Sequence, residues 1–318
     1  MLPIFTTRSQ RFIKGSIFEY KSGRGCSRIS KMFLPHIPPV SNVSSRVLRV
    51  LGCNPSLYTL QGSNTYIVGT GHSRILIDSG EPNIPEYIKN LKETMEKYKF
   101  KIEHIIVSHW HEDHIGGVKN ILDMISNKNE CKVWKLHPEN EKLREYNFPI
   151  NFMKDHQEFH TEGATLKIYH TPGHTTDHVV IFLDEEKALF SADCVLGEGT
   201  TIFENLEDYM KSLNLILQLN PAVIFPGHGS VIQNPIRHVN NYIRHRVERE
   251  KQIIQMLRDH PLQAMTKSDI VNKIYESIPK GLLKVADRGI EQHLIKLQKD
   301  GVVIKIDNVW KFNNSFSL

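Results

Sequence analysis

IEHIIVSHWHEDHIGGV, residues 102–118, is the stretch around which the rest of the chain can be read. The β-branched apolar run Ile102, Ile105, Ile106 and Val107 predicts a buried strand, which delivers His109, His111, Asp113 and His114 onto the loop that follows. In an extended segment alternate side chains point the same way, so His109 and His111 can converge on one cation while Asp113 and His114 face a second. Imidazole and carboxylate donors without a thiolate suit Zn²⁺ ahead of Mn²⁺ or Fe. The plainer alternative is a polar loop that happens to be rich in histidine; the apolar strand before it and Gly116-Gly117 after it argue for ligation.

Three further ligand candidates lie downstream, each at the end of a strand-like run: His174 in HTPGHTTDH, Asp193 closing ALFSAD, and His228 in AVIFPGHG. Strand ends are where such folds gather chemistry. Taken together, H-x-H-x-D-H, His, Asp and His resemble the metallo-β-lactamase superfamily, over about residues 47–235. The resemblance implies two Zn²⁺ per chain, the first held by His109, His111 and His174, the second by Asp113, His114 and His228, with Asp193 between them. It also implies that Asp78, at the end of RILID, orients the ligand loop from outside. An ordinary turn aspartate beside Ser79-Gly80 is the competing reading.

At 318 residues the chain has room for one large domain and a small one. Apolar content of 40% fits a globular protein, and no run reaches the roughly 18 to 20 apolar residues of a membrane span, so no membrane role is expected. The net charge of +5 is unevenly spread. Residues 1–45 hold seven basic side chains and one acid (+6), residues 241–318 hold fourteen and nine (+5), and residues 46–240 carry −6, which two divalent cations would offset. The basic, Ser-rich leader with scattered Phe and Ile reads as a mitochondrial transit peptide. A disordered tail, or translation from Met32, is the alternative. His36 to Ser45 is expected to be a linker, giving domains at 1–45, 46–235 and 236–318. Cys26, Cys53, Cys131 and Cys194 form no C-x-x-C pair and read as free thiols, Cys194 as a small buried residue.

Strands are expected at VLRVL, NTYIV, RILID, KVWKL, TLKIYH, HVVIFL, KALFSAD and AVIF, with helices near 84–98, 118–125 and 206–219. The resemblance implies an α+β fold, a four-layer αββα sandwich; periodicity alone does not give that topology. Residues 236–318 predict a long helix ending before Pro261, helices capped by Thr266 and Asp287, closure at Gly301 and a hairpin around Asp307-Asn308, which make a winged-helix-like domain. Arg288, Lys296 and Lys299 could meet nucleic-acid phosphates; a structural or dimerising module is the alternative.

Two cations a few ångströms apart can share a hydroxide and stabilise developing oxyanions, so hydrolysis needs no Ser, Cys or Lys nucleophile. Asp113 would orient that hydroxide, and His178 is a candidate proton donor or else a structural histidine. The superfamily cleaves β-lactams, thioesters and phosphodiesters. Asp193 stands where many β-lactamases carry a thiolate, and only 34 residues separate it from His228, too few for the inserted domain of the large RNA-processing nucleases. A glyoxalase II-like thioester hydrolase shares the ligand set. The finer resemblance, carried by RVLRVLGCNPSLYTLQGSNTYIVGTG, ILIDSGEP, SHWHEDHIGG, TPGHTTDH, GEGTTIFE and PGHGSVI over about residues 46–318, is to endoribonucleases of the superfamily that cut single-stranded RNA in the mitochondrial matrix. Trp110 could then stack a base at the rim. A metal-stabilised RNA-binding module without turnover is the non-enzymatic alternative.

Overall fold

A computed structural model describes residues 17–20, 30–138, 144–261, 263–275 and 283–315. Two short strands, β1 (Ile17–Tyr20) and β2 (Ser30–Phe33), pair antiparallel with each other and join neither large sheet. The remainder of the expected transit segment, residues 1–16 and 21–29, lies outside the described residues.

The first large sheet follows sequence order: β3 (Val40–Asn42), β4 (Val47–Leu51), β5 (Asn64–Val68), β6 (Ser73–Ile77), β7 (Lys101–Val107), β8 (Lys132–Leu136) and β9 (Asn151–Met153). Pairing is antiparallel as far as β6 and parallel beyond it. Helix α1 (Pro85–Tyr98) makes the crossover from β6 to β7, and the short α2 (Glu112–Ile115) and α3 (Val118–Met124) lead from β7 towards β8. The second sheet runs β10 (Glu158–Thr161), β11 (Ala164–His170), β12 (Val179–Leu183), β13 (Ala188–Ala192), β14 (Val223–Pro226), with only its last pair parallel. Between β13 and β14 lies α4 (Leu206–Leu219), and α5 (Pro235–Asp259) follows.

Three apolar cores separate four layers. Tyr66, Val68, Ile75 and Ile77 face Leu166, Ile181, Phe190 and Phe225 between the sheets. Their neighbours Ile67 and Leu76, with Ile105, cover Tyr87 and Leu91 of α1 and Ile121 of α3. On the far side Val180, Leu189 and Ile224 meet Tyr209, Leu213 and Ile216 of α4 and Val239 and Tyr242 of α5. Side chains alternate across a strand, so a sheet covered on both faces favours apolar residues at every position. That is why these strands read as largely apolar runs, and why their polar exceptions Arg49, Asn64 and Thr65 are buried and hydrogen-bonded.

Two expectations need correction. The stretch 36–45 is more than a linker: Val40–Asn42 forms the outer strand β3 against β4, and Ile37 is buried. Three residues after Pro38-Pro39 are too few to carry a strand's periodicity. Asp287 does not cap its helix, because α7 (Leu283–Lys299) already contains it; its carboxylate instead pairs with Lys267 at 2.7 Å. The helix-favouring run Leu283 to Ala286 starts the turn earlier.

The C-terminal module is otherwise as expected. Thr266 accepts a hydrogen bond from the Asp269 N–H, and the Asp269 carboxylate accepts one from the Thr266 N–H, capping α6 (Lys267–Ile274). Gly301, at φ 75°, ends α7. Strands β15 (Met265–Thr266), β16 (Val303–Ile306) and β17 (Val309–Phe312) form one sheet with β17 central, and Asp307 turns the hairpin. Ile253 and Leu257 of α5 enter this module's core with Ile270, Ile290, Leu294 and Trp310. The three basic residues singled out above are matched within the chain: Arg288 to Glu204 and Lys299 to Glu207, each at 3.3 Å, and Lys296 to Glu250 and Asp300. Among the described residues no helix is long and apolar enough to cross a membrane.

Candidate metal centre

Parallel strands carry their loops to one edge of the sandwich, and the ligand candidates gather there. Asp78 follows β6 with φ 58°, aiming its carboxylate under the loop after β7. One oxygen accepts the Ser108 N–H at 2.8 Å; the other accepts the Ser108 hydroxyl at 2.9 Å and lies 2.7 Å from His114 Nδ1. With that nitrogen committed, His114 Nε2 points outward. The single turn of α2 then lifts Asp113 beside it. Across the site, the loop after β14 passes so near Asp193 that a Cβ on Gly227 would lie 2.6 Å from Asp193 Oδ1, and Asn64 holds the same loop through the Pro226 and Gly229 carbonyls. Gly173, at φ 130°, lets the His174 loop touch the α4 backbone; any Cβ there would meet Tyr209 N at 2.3 Å.

Two groups of donors result, each with its atoms within 4.8 Å of one another. In the first, His111 Nδ1 lies 2.9 Å from His109 Nε2 and 3.0 Å from His174 Nε2, and Asp193 Oδ2 is 3.6 Å from His174 Nε2. In the second, Asp113 Oδ2 is 3.3 Å from His114 Nε2 and 3.2 Å from His228 Nε2. Asp193 Oδ1 is 3.3 and 3.2 Å from those same two nitrogens, so this one carboxylate reaches both groups. His174 Nδ1 donates to the Ile202 carbonyl at 2.6 Å, which leaves Nε2 as the lone-pair nitrogen.

The protonation preferences of the metal-free chain differ between the groups. Burial, reinforced by neighbouring imidazoles, lowers His109 far below its ordinary value, lowers His174, and brings His111 to about 4. Burial opposes charge in the second group too, but the carboxylates outweigh it: Asp193 and Asp113 raise His228 to about 9, and Asp113, Asp193 and Asp78 hold His114 well above its usual range. Against their own desolvation, Asp113 and Asp193 stay below the usual carboxylate range because of His114 and His228. Neutral imidazoles and ionised carboxylates are the states in which these side chains ligate cations. The first group is already in them; the second reaches them by releasing protons. Both donor sets fit a divalent metal.

The profile of the metallo-beta-lactamase superfamily matches residues 58–228. The chain belongs to this superfamily. The superfamily's characteristic hydrolytic chemistry therefore applies to it, and residues 266–310 match the beta-lactamase associated winged helix domain. The chain is 45% identical over 270 residues to the Beta-lactamase-like protein 2 homolog of Caenorhabditis elegans, covering 85% of this chain and 90% of that one. It is 36% identical over 281 residues to the Atrochrysone carboxyl ACP thioesterase of Aspergillus fumigatus, covering 84% and 85%. A crystal structure of a beta-lactamase domain protein from Burkholderia ambifaria superposes with TM-score 0.74 at 14% identity over 86% of this chain and 93% of the other, a likeness of fold.

All seven ligand candidates thus meet at one edge, and Asp78 lies beneath them. His178 is fully buried beside the rings of His109 and His174, with Nδ1 2.9 Å from the equally buried Thr171 hydroxyl. Cys194 turns into the α4 core and burial pushes its thiol up, so it offers no thiolate. Sequence reasoning passed over Ser63, whose hydroxyl donates to Asp113 Oδ2 at 3.0 Å, and Ser108, which links Asp78 to His109 Nδ1. Ser63 opens the SNTYIV run, and nothing in that run points to Asp113, 50 residues on.

Proposed function

We propose that this hydrolase cleaves phosphodiester bonds of single-stranded RNA, using two Zn²⁺ ions, and that it does so in the mitochondrial matrix, the compartment favoured by the basic, acid-poor leader. The observation that carries the RNA reading is the rim of the site. Trp110, between two first-group histidines in sequence, lies edge-on to His111 with ring centroids 4.4 Å apart, and the Arg144 guanidinium stands 3.9 Å over the indole. An aromatic platform joined to a fixed positive charge suits a strand of stacked bases and phosphates.

Cations bound by the two donor groups supply activation of water near neutral pH and neutralisation of oxyanion charge. The chain's own side chains do the rest. Asp113 is the most solvent-accessible member of the second group, its side chain 18% exposed against 0% for His114 and 2% for His228. Held ionised by those imidazoles and by the Ser63 hydroxyl, it is suited to orient the attacking water. Asp78 and the Ile202 carbonyl fix the rings of His114 and His174 so that neither swings away as charge develops.

Thioester hydrolysis is the second reading, favoured by the fungal thioesterase among the relatives. A glutathione pocket built from Tyr58, Tyr209 and Lys211 finds little support: Tyr209 is fully buried with its hydroxyl on the Cys194 carbonyl, and Lys211 is paired with Glu207 and Asp208. Tyr58 is exposed. The deciding assay incubates zinc-loaded protein and its Asp113→Ala variant with end-labelled single-stranded RNA and, in parallel, with acyl-glutathione and acyl-carrier thioesters. RNA cleavage lost in the variant is the expected result. Thioester turnover without RNA cleavage would replace this reading with the second.

A further inference from the structure

The segment from Cys194 to Phe203 leaves Asp193 and visits the other ligand loops in turn. Glu198 accepts the Ser230 N–H at 3.0 Å, two residues beyond His228. The Thr201 hydroxyl lies 3.2 Å from His174 Nδ1, and the adjacent Ile202 carbonyl accepts from that nitrogen. What fixes this segment is helix α5. His238, Tyr242 and Arg246 recur every four residues, so they share one face of the helix. His238 Nε2 lies 2.9 Å from the Leu196 carbonyl. The Tyr242 hydroxyl accepts the Leu196 N–H at 3.1 Å and donates to the Gly199 carbonyl at 3.2 Å. Arg246 Nη2 donates to the Thr201 carbonyl at 3.0 Å and to the Thr200 hydroxyl.

We propose that Arg246 is a positioning residue for His174, and through it for the cation of the first donor group. Arg246 is buried, 6% exposed, and its guanidinium carbon lies 4.8 Å from the centre of the Phe203 ring and 5.7 Å from that of the Tyr209 ring. Among the described residues its hydrogen-bond acceptors are the Thr200 hydroxyl, the Thr201 carbonyl and His245 Nδ1, none of them a carboxylate. Burying a charge against a hydroxyl and a carbonyl is costly, so a residue that only glued α5 to α4 could be apolar. Arginine offers two fixed donor directions, which set where residues 200–202 lie and hence where the acceptor of His174 Nδ1 lies. Without it, the Thr201 carbonyl is left buried and unpaired, Gly199, at φ 74°, offers the backbone freedom to move, and His174 loses a fixed partner. The inference rests on the site binding cations and is independent of which bond is hydrolysed.

The test is a competition titration of the metal-free full chain with Zn²⁺ against a chromophoric chelator, which yields two stepwise constants, with thermal unfolding measured alongside. Arg246→Met is expected to weaken one constant by roughly tenfold, the lower end for outer partners of a ligand, and to leave the other within about twofold. Arg246→Lys, which keeps the charge but one donor direction, should fall between. Arg249→Met is the control: the residue is also buried, but its guanidinium lies 4.5 Å from the Tyr275 ring and donates to Gln252, so its loss should lower the melting temperature and change neither constant. In a His174→Ala background, Arg246→Met should weaken binding no further. Unchanged constants in Arg246→Met, equal weakening of both constants matched by Arg249→Met, or full additivity with His174→Ala would each overturn the proposal. A wild-type chain that takes up one ion would count against the two-cation reading alone, because the His174 cycle still tests Arg246.

Discussion

The two donor groups lie side by side, share Asp193, and are nonetheless built on opposite electrostatic principles. The first is three imidazoles kept neutral by burial, with a single carboxylate at its edge. The second surrounds two imidazoles with three carboxylates, Asp78, Asp113 and Asp193, so that in the metal-free chain protons stand between the donors. A cation entering the first group meets lone pairs; one entering the second must displace protons. The difference teaches that a contiguous motif, H-x-H-x-D-H, can supply two sites of unlike character, because burial dominates around its first two histidines while the ligand carboxylates Asp113 and Asp193, with Asp78, dominate around His114 and His228.

Removing the shared carboxylate should erase the contrast. Asp193→Ala is expected to lower metal content at both groups and to reduce hydrolysis by more than the roughly 10- to 100-fold typical of an outer partner, as checked by elemental analysis beside turnover. Varying pH should sharpen the contrast. His228, raised from 6.5 to about 9, stabilises the metal-free fold while charged; that contribution is fully present below pH 6.5 and is lost as pH rises through 9. His111, lowered to about 4, acts in the opposite sense: its contribution is present above pH 6.5 and is lost as pH falls through 4. Metal affinity follows: between pH 6 and 8 the second group should tighten by about tenfold per unit for each proton displaced, while the first changes less than about threefold. Stepwise Zn²⁺ titrations across that range read both, and equal slopes would break the comparison. The smallest effect belongs to Asp78→Asn, which weakens the grip on His114: roughly 10- to 100-fold in the second constant, and less in the first, which Asp78 reaches only through Ser108. Equal weakening of both constants in that variant would show that Asp78 supports the loop as a whole.

How much of this was legible in the chain depends on how far apart the interacting residues lie. His109, His111, Asp113 and His114 announce themselves within six positions, and strands such as VLRVL and NTYIV stand out because both faces are covered and most of their residues are apolar, with Arg49, Asn64 and Thr65 the buried polar exceptions. The αββα layering came from resemblance, since nothing local tells one face of β5 that it meets a second sheet. Strand β3 was missed because three residues after two prolines carry a linker's composition. Ser63 and Arg246 act on partners 50 and 45 residues away, through contacts that exist only once the chain has closed. The basic residues of α7 were read from their own helix, while their carboxylate partners Glu204 and Glu207 lie at and just before the start of α4.

Helix α5 spans 25 residues, roughly 37 Å at 1.5 Å per residue. Its Val239 and Tyr242 belong to the core of the sandwich, and its Ile253 and Leu257 to the core of the winged-helix module. No flexible tether joins the two units at this helix; one rod is built into both. The winged-helix core therefore stands at a set reach from the donor groups, as a mark stands on a ruler.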